Sequence, residues 1–130
     1  VLVPIISSFK EMGVTKEDRA RILENDVKQF NYAIAEGRSM AALKYVQDEY
    51  QSEFKDQLRG VSRDEKIVDA SVSFVDLSED GYHADVEMLV RFFNKSRMIV
   101  NERLEKQRWY FSMSDGWRLG DREILEETPA

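Results

Sequence analysis

The spacing of apolar residues divides the chain into a helical half and a strand half. Leu23, Val27, Phe30 and Ile34 recur at helical intervals behind Thr15, whose hydroxyl can cap a first turn that contains Asp18. Gly37 supplies a left-handed stop, so the pattern predicts a helix over 16–36. Residues 38–59 contain no Gly or Pro, and Met40, Leu43, Val46, Tyr50 and Phe54 keep helical spacing, with room for a break at 47–49. After Gly60 the period becomes two. Val68, Ala70, Val72 and Phe74 read as one face of a strand, with Ile67 and Val75 on the other. Ser78-Glu79-Asp80-Gly81 has the composition of a hairpin turn. Tyr82, Ala84, Val86, Met88, Val90 and Phe92 then alternate with His83, Asp85, Glu87 and Arg91. A turn at 94–97, a long strand over 98–113, the Ser114-Asp115-Gly116 turn and a last strand over 117–125 complete the chain. Helices followed by an antiparallel meander predict an α+β fold: N-terminal helices packed on a curved, cone-like antiparallel sheet of four to five strands.

Charge fixes a register for the central hairpin. If opposed residue numbers sum to 193, Glu87 faces Lys106, Asp85 faces Arg108 and Arg91 faces Glu102. A shift of one sets Glu87 against Glu105, a like-charge pair. The favoured register puts the Tyr82–Phe92 apolar row on the face that carries Arg103, Glu105, Gln107, Trp109 and Phe111. That row must bury against the first helix. The three polar residues then point into, or across the mouth of, a concave space lined by Trp109, Phe111 and helix residues, the form of a ligand pocket.

The length of 130 residues fits one domain, assigned to 15–130, with 1–14 as an N-terminal arm or a remnant of a longer chain. With no cysteine there is no disulfide, thiolate metal site or cysteine nucleophile. A net charge of −6 argues against nucleic acid as a partner. The charge is uneven: residues 61–90 hold two basic and eight acidic side chains, and 91–108 hold six and two. Such blocks either steer a charged ligand or pair across neighbouring strands. No apolar run is long enough to span a membrane. The apolar start from Val1 to Ile6 is compatible with an exported or periplasmic protein anchored by a preceding segment, or with an ordinary chain end.

The first-helix ending Phe30-Asn31-Tyr32-Ala33-Ile34-Ala35-Glu36-Gly37 and the closing segment from Trp109 to Leu119 resemble the nuclear-transport-factor-2-like (cystatin-like) superfamily. The aromatic strand, the turn at Gly116 and the Trp117-Arg118-Leu119 strand carry the second likeness. The resemblance implies the helix-on-cone fold but does not choose among isomerases, dehydratases, hydrolases, secretion components and non-enzymes. In the ketosteroid-isomerase type a helix tyrosine stands about seven residues before the glycine. Phe30 occupies that position and has no proton to donate. Tyr32 lies about 200° further round the helix.

The residues that remain as candidates for ligand binding are Arg103, Glu105, Gln107, Trp109, Phe111 and Phe30. In that role Arg103 orients a small hydrophobic or anionic ligand, and Glu105 or Gln107 completes its hydrogen bonds. Alternatively they form a wet cone mouth or a buried subunit contact. Glu105 and Asp56 are the carboxylates available as a general base, although no acid–base pair is evident; His83 falls on the charged outer face. No cofactor or metal motif occurs. The expected function is a non-catalytic small-ligand-binding or assembly domain, acting as a homodimer through the sheet. The alternatives are a small-molecule enzyme using a pocket carboxylate and an exported, membrane-tethered interaction module.

Overall fold

The computed structural model describes residues 15–61 and 64–129. The arm expected over 1–14 lies outside the described residues. Helix α1 (Lys16–Ala35) starts where the sequence placed it, with the Thr15 side chain accepting from the Asp18 amide at 3.1 Å. It ends one residue early in a Schellman arrangement: Arg38 N donates to Ala33 O and Gly37 N to Ile34 O, with Gly37 at φ 73°. The following helical stretch is broken into α2 (Ser39–Leu43), a 3-10 turn (Asp48–Tyr50) and α3 (Gln51–Gly60). The break has a cause in the sheet. Gln47 N donates to Leu119 O and Leu119 N to Tyr45 O, so the segment near Val46 acts as a short parallel bridge.

Four antiparallel strands follow in meander order: β1 (Glu65–Leu77), β2 (His83–Asn94), β3 (Val100–Ser112) and β4 (Gly116–Pro129). The molecule is α+β, with helices packed on an open antiparallel sheet. Every β2–β3 pair obeys the register sum of 193, from His83–Tyr110 to Phe93–Val100. Two of the expected charge pairs close: Arg108 grips Asp85 at 2.8 and 3.3 Å, and Arg91 Nε meets Glu102 at 3.1 Å.

Strand β1 corrects the strict alternation expected of it. Bulges between Ile67 and Asp69 and between Val72 and Phe74 shift the parity twice. Ile67, Ala70, Val72, Val75 and Leu77 oppose the inner-face residues of β2, whereas Lys66, Asp69, Ser71, Phe74 and Asp76 lie on the outer face. A further irregularity falls in β4, where Gly120 is passed over between Leu119 and Asp121. A Cβ at Gly120 would stand 2.5 Å from the Tyr110 ring, so the strand needs glycine there.

The core forms where α1 and α3 meet the inner face of the sheet. Phe30, fully buried, stacks 5.6 Å from Phe54 and edge-on 5.4 Å from Trp109. Val86, Met88, Val90, Trp117 and Leu119 surround this cluster. Tyr82, placed in the inward row by sequence, is instead 40% exposed. Its ring lies under the Arg19 guanidinium at 4.1 Å, and Arg19 itself is buried, donating to the carbonyls of Gly81 and Asp80.

Candidate functional site

Alternation along β3 sends Arg103, Glu105, Gln107 and Trp109 inward, and all four are almost completely buried. The structure brings them together, but each is engaged by other protein groups. Glu105 is the hub: its Oε1 accepts from Arg103 Nε at 3.2 Å and from Arg122 Nη2 at 2.7 Å, and its Oε2 accepts from Arg122 Nε at 3.3 Å. Arg103 Nη1 reaches Glu65 on β1 at 2.7 Å, and its guanidinium lies 4.7 Å from the Phe92 ring centre. Two carboxylates and two guanidiniums therefore balance inside the fold, the pairing that a low-dielectric interior requires.

The network continues through α3 and the 3-10 turn. Arg122 Nη1 donates to Gln57 Oε1 at 3.0 Å, and Gln57 Nε2 donates to Tyr50 Oη at 2.8 Å. Tyr50 in turn donates to the Arg122 carbonyl and accepts from the Arg122 amide. Burial raises the Tyr50 pKa, which keeps the phenol protonated as a donor. A second, uncharged branch joins Gln107 and Asn31 of α1 by reciprocal amide bonds at 2.8 and 3.3 Å, with Trp109 Nε1 also donating to Gln107. Among the described residues, no buried side-chain nitrogen or oxygen lacks a partner.

The other candidates are scattered. Phe30 and Trp109 form the centre of the core, and Phe111 packs against Trp117 at 5.4 Å. Asp56 is on the surface, ion-paired with Arg59. His83 is exposed beside Asp80 and Tyr110. Among the described residues, no group of three or more His, Asp or Glu side chains is arranged to hold a metal.

Sequence reasoning missed Arg122, Glu65, Asn31, Gln57 and Tyr50. Arg122 was the recoverable one: Gly120 is a strand glycine, the usual mark of a bulge, and a bulge there turns Arg122 inward beside Glu105. A concave space lies at the end of the network. An open cleft of about 460 Å³ has Arg103 and Arg122 at its floor, Lys66, Lys95, Glu36 and Glu65 at its edges, and Ile34, Leu58, Val61 and Ile67 among its walls.

No protein-family model matches the chain, and no curated protein matches it. Among solved structures, the crystal structure of the intermembrane space region of the chloroplast protein ARC6 is similar at a TM-score of 0.50 and 20% identity. The match covers 82% of this chain and 95% of that one. At that identity the likeness is one of fold.

Proposed function

We propose that the chain is a non-catalytic assembly domain of the nuclear-transport-factor-2-like class that works as a homodimer through its sheet. The observation that carries this reading is the closure of the interior network. A general base must offer a lone pair within hydrogen-bond reach of a substrate proton. Both oxygens of Glu105 already accept from guanidiniums, and Asp56 faces solvent beside Arg59. Apolar surface is displayed elsewhere, on β1, where Val68, Val72, Phe74 and Val75 are each about half exposed.

The mouth cleft supports a second reading within the same class. Lys66, Lys95 and the two floor arginines beside apolar walls suit a small amphipathic anion. Native mass spectrometry on protein purified from its own host separates the two. Assembly predicts a dimer at twice the mass of the denatured chain, with nothing added. A stoichiometric extra mass on each chain would overturn it in favour of the ligand.

A further inference from the structure

We propose that the homodimer forms by antiparallel pairing of β1 with β1 of a second copy, in the register that sets Ser71 against itself. The proposal rests on the homodimer reading above and specifies its surface. Strand β1 is an edge of the sheet, thirteen residues long, with no strand beyond it among the described residues. The opposite edge differs: β4 is partly occupied by the bridge from Val46. A long edge that displays apolar residues is a template for another strand.

Two requirements choose the register. Inner-face residues must meet inner-face residues, or the apolar side of one copy would oppose the solvated side of the other. Between the bulges, Asp69 and Ser71 face outward and Ala70 and Val72 inward. Of the registers centred on a residue from Asp69 to Phe74, only those centred on Ser71 and on Ala70 keep inner residues opposite inner ones along β1. Charge then decides. Centring on Ala70 sets Asp64 against Asp76 and leaves Lys66 against Phe74. Centring on Ser71 sets Lys66 against Asp76, Ile67 against Val75, Val68 against Phe74 and Ala70 against Val72. Each pair occurs twice by symmetry, as an isologous contact requires.

This register accounts for the exposure pattern of the strand. Val72 and Val75 are on the inner face, yet each is 47% exposed in the single chain. Pairing would give them Ala70 and Ile67 of the second copy. Val68 and Phe74, 56% and 54% exposed, would cover each other. Lys66 is the only basic residue of β1, and in this register it faces Asp76 on the outer face of the second copy.

The cysteine-free sequence makes the test direct. Opposed antiparallel residues have Cα atoms roughly 4.5–5.5 Å apart, within the roughly 4.4–6.8 Å that a disulfide spans. Ser71→Cys is expected to give a covalent dimer on mild oxidation, and Ser73→Cys, which would face Asp69, is not. In sedimentation velocity, Lys66→Asp and Asp76→Lys should each raise the dimer Kd about tenfold or more, because each creates two like-charge pairs. Mixing the two variants should restore dimer, since an acidic and a basic side chain then oppose each other at both ends of the paired strands. That rescue also shows both variants to be folded. A wild-type dimer that neither cross-links at Ser71→Cys nor responds to the charge exchanges overturns the β1 pairing and leaves the homodimer reading standing. A wild-type chain that stays monomeric at every concentration overturns both.

Discussion

Glu105→Gln removes one charge from the centre of the buried network and changes almost nothing in shape. The carboxylate side chain is 3% exposed, and its partners Arg103 and Arg122 are 3% and 2% exposed. The amide presents hydrogen-bond donors where a guanidinium also donates, so Arg122 loses its bidentate acceptor and Arg103 loses one of its carboxylate partners while keeping Glu65. Breaking a buried ion pair by removing one partner costs about 3–5 kcal/mol, because the remaining charge stays desolvated. For a chain of this size that corresponds to a Tm lower by roughly 10–20 °C. Urea unfolding followed by the fluorescence of buried Trp109 and Trp117 reads the change. Replacing the set together (Glu65→Gln, Arg103→Met, Glu105→Leu, Arg122→Met) should be neutral or stabilising by about 1–4 kcal/mol, since both members of each of these ion pairs are removed together. A reaction site kept ready for substrate behaves in the opposite way, because its strained charge is relieved on removal. Unchanged or increased stability in Glu105→Gln would refute the structural role of the network.

Other consequences follow from single positions. Phe30→Ala empties the junction of Phe54 and Trp109 and should cost about 3–5 kcal/mol in the same unfolding assay. Gly120→Ala drives a methyl into the Tyr110 ring and should destabilise by about 1–3 kcal/mol, with altered packing of Tyr110 visible by NMR. The Ser78 hydroxyl and the Tyr82 amide hold the Asp80 carboxyl below its usual range. The stability it contributes is therefore full above the unfolded carboxylate pKa and lost as pH falls through the lower folded value, and Asp80→Asn should flatten that acid limb of a Tm–pH curve. Asp26 has the opposite sign: burial raises its pKa, so its contribution falls as pH rises through the carboxylate range, and Asp26→Asn should raise the Tm at neutral pH relative to acid.

The parts of the fold legible in the sequence were those governed by local rules. Thr15, Gly37 and the Leu23–Ile34 stripe fix α1 because capping and periodicity act within a few residues. The β2–β3 register was legible because three charge pairs agreed and neither strand is bulged against the other. Strand β1 was misread because its two bulges carry no glycine or proline to signal them, so Val72 and Phe74 seemed to share a face that they do not share. The inward direction of Arg103, Glu105 and Gln107 was legible from alternation, but their chemistry was not. Whether an inward polar residue meets an open space or a partner depends on residues far away in sequence: Glu65 on β1, Asn31 on α1 and Arg122 beyond a bulge.

The central claim is that this domain acts through the edge of its sheet and not through its interior. Amide hydrogen exchange, measured by NMR at protein concentrations on either side of dimerisation, tests it most directly. Amides of β1 between Lys66 and Asp76 should gain protection in step with the dimer fraction, while those of Arg103, Glu105 and Arg122 should not change. A dimer that leaves β1 exchange untouched and protects another surface would contradict the claim.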